Sequence, residues 1–109
     1  MPAIAYTVLA TLPDEPTAQE FESWLVHGHI QAVLAGGAQA ATLIRRQGEH
    51  PVLEIRYLFP NQQAFDRYVA ESAPALRADG LHRFPPERNV RLERSSGVVL
   101  GAWNGQSVG

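Results

Sequence analysis

Pro51-Val52-Leu53-Glu54-Ile55-Arg56-Tyr57-Leu58-Phe59-Pro60-Asn61 is the stretch on which the fold turns. Leu53, Ile55, Tyr57 and Phe59 fall on one side of an extended chain, because successive side chains of a strand point to opposite faces. Glu54 and Arg56 fall on the other. The segment reads as a strand with one covered face and one partly polar face. Its flanking prolines cannot donate to a ladder, and Asn61 is a good N-cap for a following helix.

Toward the N-terminus, Gly48-Glu49-His50 is a short turn, and Ala38 to Gln47 reads as the hairpin partner of that strand. Gly36-Gly37 ends a preceding helix, as glycine does at the first left-handed position. That helix opens with Thr17-Ala18-Gln19-Glu20, the pattern of a capping box in which Thr17 and Glu20 satisfy each other's amides. Its apolar side carries Phe21, Leu25, Gly28 and Ala32, with Trp24 and Ala35 close by. Before it, Leu12-Pro13-Asp14-Glu15-Pro16 closes a strand from Ala3 to Thr11 that is apolar on both faces.

Toward the C-terminus, Phe65, Val69, Ser72 and Leu76 share one side of a second helix, with Tyr68 flanking them. Pro74 predicts a kink near Glu71-Ser72, with Ser72 recapping a continuation to Asp79 that Gly80 ends. Phe84-Pro85-Pro86 is a rigid turn. Asn89 to Arg94 is a last strand, with Val90 and Leu92 on one face; Val98-Val99-Leu100 either extend it past Gly97 or form a separate edge strand. Residues 1–100 read as one domain, and residues 101–109 as a loosely ordered tail, small and polar apart from Trp103 and Val108.

The order β-α-β-β-α-β predicts an α+β, ferredoxin-like fold: a four-stranded antiparallel sheet with two helices on one face. The opposite face then lies bare, mixing Val, Leu, Ile and Thr with charges. Packing two such sheets face to face covers it, so the expected assembly is a homodimer of the dimeric α/β-barrel type.

Composition narrows the function classes. The 109 residues are 45% apolar, with nine basic against eleven acidic groups and a net charge of −2. That balance is globular and argues against a nucleic-acid partner, which calls for clustered positive charge. The absence of cysteine excludes disulfides, thiolate catalysis and Cys-ligated zinc. Met1 to Leu12 holds no basic residue and no membrane-length apolar run, so a soluble cytoplasmic protein without a membrane partner is expected. No His-x-x-x-His pair, carboxylate cluster or Gly-rich phosphate loop occurs, so neither a metal nor a cofactor is expected.

Trp24-Leu25-Val26-His27-Gly28-His29-Ile30, Ser72-Ala73-Pro74-Ala75-Leu76-Arg77 and Leu81-His82-Arg83-Phe84 together resemble a family of small bacterial proteins, domain of unknown function 4286. The resemblance covers roughly residues 4 to 95. It implies the ferredoxin-like dimeric α/β-barrel fold, and the family carries no established activity. The wider superfamily holds cofactor-independent monooxygenases, isomerases, polyketide cyclases and haem proteins, so likeness of fold selects no reaction.

His29 is the first candidate for chemistry. On a regular helix it stands about 80° from Phe21, at the border of the apolar side, where an imidazole can act as acid–base or hydrogen-bond donor. The ordinary alternative is a histidine bonded to backbone. His27, at about 240°, belongs with the polar set and cannot share a metal with His29. Trp24 is a candidate substrate contact, against a plain core role. Glu54 and Arg56 share one strand face, where they either line the space between sheets, Arg56 holding an anionic or carbonyl-bearing ligand, or form ion pairs that set dimer register. Arg77 either complements a helix dipole or clamps a substrate carboxylate. The expected function is small-molecule binding by a homodimer, as a cofactor-independent enzyme acting on a small apolar carbonyl or aromatic compound. The alternative is a non-catalytic ligand-binding or protein-interaction dimer; haem binding through a histidine is a third.

Overall fold

Four strands and two bent helices follow one another in the expected order. The structure, a computed structural model, describes residues 1–105. Strand β1 (Ile4–Thr11) leads to helix α1 (Glu15–Trp24), a widened turn (Leu25–His29) and helix α2 (Ile30–Ala35). Strands β2 (Ala40–Arg45) and β3 (Val52–Phe59) follow, then helix α3 (Gln62–Arg67), a second widened turn (Tyr68–Ser72), helix α4 (Ala73–Arg83) and strand β4 (Arg91–Val98). The sheet order is β2-β3-β1-β4, with every neighbouring pair antiparallel. This is the ferredoxin-like arrangement.

The alternation of β3 determines where the core sits. Leu53, Ile55, Tyr57 and Phe59 are all buried, and they pair with Ala10, Val8, Tyr6 and Ile4 of β1. Phe21, Leu25, Phe65 and Tyr68 of the helical layer close over them in one cluster. The molecule is only 21 Å thick along its shortest axis, the depth of one sheet and one helix layer. The second sheet face is therefore uncovered, and it presents Thr7, Leu9, Ile44 and Leu58 with Glu54 and Arg56 among them. Strand β4 is exposed along its whole length.

Several ends differ from the sequence reading. The capping box is not used. Asp14, three residues earlier, is the N-cap, and its Oδ1 accepts from the Thr17 amide at 2.8 Å. Pro16 tolerates this start because the first turn needs no N–H from it. Glu20 is thereby free to pair with Arg88. Asn61 does cap α3, accepting from the Ala64 amide at 2.8 Å. The kink before Pro74 lies where expected, as a turn closed by the Ala73 amide donating to Tyr68, but Ser72 makes no capping bond. Widening the turn accommodates a ring that would otherwise crowd the carbonyl four residues back.

Helix α4 runs past Gly80 to Arg83 and ends where Pro85 blocks it. The C-cap glycines behave as read, with Gly37 at φ +126°. Gly36 has a second reason to lack a side chain, since a Cβ there would lie 2.9 Å from Ser72 Oγ. Strand β4 starts later than expected because Asn89 is left-handed (φ 57°) and closes a single 3-10 turn. It then continues through Gly97 to Val98, one strand without an edge fragment. Residues 101–105 have no regular structure, and residues 106–109 of the expected tail lie outside the described residues.

The two caps give a direct test. Asn61→Ala should cost about 1 kcal/mol in chemical denaturation, the usual loss for an N-cap. Asp14→Ala should lower the thermal midpoint by roughly 4–8 °C for a domain of this size. An unchanged melt for Asp14→Ala would place the start of α1 elsewhere.

Candidate functional site

The first helix is not regular, and that irregularity makes the site. After Trp24 the backbone leaves helical geometry at His27 (φ −101°, ψ 19°) and Gly28 (φ 164°, ψ −42°), and the Ile30 amide donates to the Leu25 carbonyl five residues back. In a regular helix, positions 24 and 29 stand about 140° apart and their side chains cannot meet. A turn closed five residues back brings i and i+5 onto one face. His29 accordingly stacks on Trp24, with ring centroids 4.1 Å apart and planes 23° from parallel.

Trp24 is held from three sides. Phe21 and Phe84 pack against its indole at 5.3 and 5.8 Å. Gly80 lies beneath it, where a Cβ would already stand 3.4 Å from the ring. Close approach to the indole thus accounts for a glycine inside α4. The indole Nε1 donates to Asp79 at 3.4 Å, a long contact.

Among the described residues, His29 Nδ1 is the buried side-chain polar atom without a hydrogen-bond partner. Burial holds the His29 pKa below its ordinary value; the nearby Asp79 carboxylate opposes that shift and Arg94 adds to it. The ring is therefore neutral at pH 7. A proton on Nδ1 would be an orphaned buried donor, the costlier way to leave that atom unpaired, so the Nε2–H tautomer is favoured. His27 is placed differently. It is exposed, and its Nδ1 donates to the Ser23 carbonyl at 2.8 Å.

His29 and Trp24 form one wall of a cavity of about 400 Å3 between the sheet and the helices. Tyr6 and Tyr57, cross-strand partners stacked at 5.9 Å, form its floor, and Tyr68 closes over Tyr6 at 6.1 Å. Burial raises the pKa of the Tyr57 phenol and pushes that of Tyr68 up to about 12, so both stay protonated and can donate. Arg77 of α4 and Arg94 of β4 reach the same cavity. The arrangement can hold a flat, apolar ring and meet its oxygens with neutral donors and cations. Among the described residues, no group of three or more His, Cys, Asp or Glu side chains could hold a metal.

The structure thus brings together His29, Trp24 and Arg77, and it separates them from Glu54 and Arg56. The latter two lie on the uncovered sheet face, with the whole sheet between them and the cavity. There Glu54 accepts from both Arg46 and Arg56, which fold across it and leave it 5% exposed. These two arginines hold its carboxyl below the usual range. Parity explains the separation: Glu54 and Arg56 alternate with the core residues of β3, so they cannot share a face with the helices. Tyr6, Tyr57 and Tyr68 belong to the core cluster and also line the cavity. Arg94 is the residue that sequence reasoning passes over, although a signal exists. Val90 and Leu92 mark the covered face of the last strand, and Arg94 is the next residue on it.

No curated protein matches the chain. Among solved structures, a dimeric ferredoxin-like protein from an uncultured marine organism is 12% identical with a TM-score of 0.72, covering 94% of this chain and all of that one (100%). SnoaB, a cofactor-independent oxygenase from Streptomyces nogalater, is 17% identical with a TM-score of 0.69 over 94% of this chain and 97% of that one. A monooxygenase, ActVA-Orf6 of Streptomyces coelicolor in complex with nanaomycin D, is 13% identical with a TM-score of 0.73 over 96% and 94%. Likeness at these identities is likeness of fold. The sequence profile that matches spans residues 3–91, nearly all of the folded core described above. The chain therefore belongs to the family described as domain of unknown function DUF4286.

Proposed function

We propose that this chain is a homodimeric small-molecule-binding protein that acts, without a cofactor, on a small carbonyl or aromatic compound held between sheet and helices. His29 is its acid or hydrogen-bond donor, and Arg77 orients the compound. The observation that carries this reading is the unpartnered, buried Nδ1 of a neutral His29 stacked on Trp24 at the cavity wall. A structural histidine is normally bonded through such an atom, so its lack of a partner points to a role for the rest of the ring. Among the described residues Nε2 makes no hydrogen bond and, unlike Nδ1, is not a buried unpartnered atom, so it is the nitrogen that meets a ligand oxygen. A neutral imidazole donating from Nε2 polarises a carbonyl without the cost of a buried charge. The oxygenase and monooxygenase among the structural neighbours make an aromatic carbonyl a reasonable class to test.

The uncovered face supports self-association. Leu9, Leu58 and Ile44 are half-buried on it beside the Arg46–Glu54–Arg56 group, which a facing sheet would enclose. Glu54 and Arg56 are on this reading register-setting residues of the dimer and not ligand contacts. Sedimentation at micromolar concentration should give a dimer, and Leu58→Asp, which places a charge on that face, should give a folded monomer. A wild-type monomer would remove this part of the proposal.

Nanaomycin D serves as a probe of the cavity. His29→Ala should weaken its binding roughly fivefold to tenfold, the loss of one hydrogen bond, while His27→Ala leaves binding unchanged. Equal affinity in His29→Ala, measured by fluorescence titration, would assign His29 a packing role only. The pH dependence provides an independent reading. The unfolded chain takes up a proton at His29 near pH 6.5, and the folded chain only at lower pH. The unfolded state thus binds more protons in that window. Stability contributed by His29 is present in full above about pH 6.5 and declines as pH falls through the folded pKa. His29→Phe, which keeps the stack, should flatten that part of the stability profile.

A further inference from the structure

The cavity is electrostatically one-sided. All nine basic residues of the chain are arginines. Arg45, Arg46, Arg56 and Arg88 are ion-paired with glutamates. Among the described residues, Arg67, Arg77, Arg83, Arg91 and Arg94 make no ion pair, and of these Arg77 and Arg94 line the cavity. Among the described residues no Asp or Glu lines it with them; Asp79 lines the outer groove together with Arg83. The two guanidinium groups come from different elements, α4 and β4, yet both act on the Tyr68 hydroxyl, and Arg94 also acts on His29. They face one space from two walls.

The position of Arg94 sharpens the point. It pairs in register with Val8, whose side chain lines the cavity, so it stands on the helix side of the sheet where the alternation calls for an apolar residue. An inward charge on an edge strand can serve to discourage edge-to-edge pairing. That reason does not reach Arg77, which lies on a helix across the cavity.

We infer that the compound bound in this cavity carries a carboxylate, which Arg77 and Arg94 clamp while His29 and the tyrosines meet its other oxygens. This rests on the reading of the cavity as a ligand site and names the class of ligand. Two unpaired guanidinium groups beside an apolar ring pocket of about 400 Å3 describe an aromatic acid.

The test uses a matched pair of probes, 1-hydroxy-2-naphthoate and its methyl ester, titrated into the full chain. Wild type should bind the acid at least roughly tenfold more tightly than the ester, the range expected for charge-assisted hydrogen bonds. Arg77→Gln and Arg94→Gln should each erode that preference by lowering affinity for the acid and leaving the ester unaffected. Arg94→Lys should keep part of it, and thermal melts of all three variants establish that they are folded. Binding of acid and ester with equal affinity would overturn the clamp and leave the aromatic pocket standing. A preference for the acid that survives both glutamine variants would also overturn it. Binding of neither probe, with nanaomycin D also rejected, would overturn the clamp and the pocket together.

Discussion

The site depends on a single backbone device, the widened turn at Leu25–His29. A regular helix through these residues would point Trp24 and His29 in directions about 140° apart, one inward and one toward its flank. Closing the turn five residues back places the imidazole on the indole and seals Nδ1 away from water. The second helix carries a matching turn at Tyr68–Ser72, before Pro74, which sets Tyr68 over the cavity floor and turns α4 so that Gly80 lies beneath Trp24. Both irregularities thus lie next to the cavity, where such turns often occur in functional helices. Helix length and amphipathicity build the layer; the two turns shape the space beneath it.

The sheet then divides the polar residues into two sets with different work. One parity of β1, β3 and β4 carries the tyrosines and Arg94 into the cavity. The other carries Glu54 and Arg56 to the uncovered face, where the carboxylate is shared by two arginines and almost wholly enclosed. The first set keeps its cations unpaired and the second pairs them. A buried ion group is poor evidence for stability but a good device for register, which is the use an interface between like sheets would make of it. On the proposed reading, the unpaired cations beside apolar rings serve ligand recognition.

The fold was legible because its signals were strong and independent: the alternation of Leu53, Ile55, Tyr57 and Phe59, the Asn61 cap, the glycine pair after the first helix and the Pro74 kink. The ends were less so. Thr17 and Glu20 match a capping box as well as Asp14 and Thr17 match a simple cap, and only the pairing of Glu20 with Arg88, distant in sequence, separates the two. The site was half legible. His29, Trp24 and Arg77 could be named from residue type and segment, but their convergence could not. An angular wheel assumes a regular helix, and a widened turn leaves little trace in sequence beyond a glycine in the middle of an apolar pattern. Glu54 and Arg56 were correctly given one shared face, and what the sequence does not state is that the cavity lies on the other.

The central claim is that His29 is a neutral, Nδ1-sealed imidazole presenting Nε2–H to the cavity. Long-range nitrogen–proton correlation spectra of the histidine rings, recorded across pH, test it without any ligand. The account predicts that His29 shows the Nε2–H tautomer alone at pH 7 and titrates below the ordinary histidine value near 6.5. A His29 ring that exchanges between tautomers and titrates like a free imidazole would contradict it.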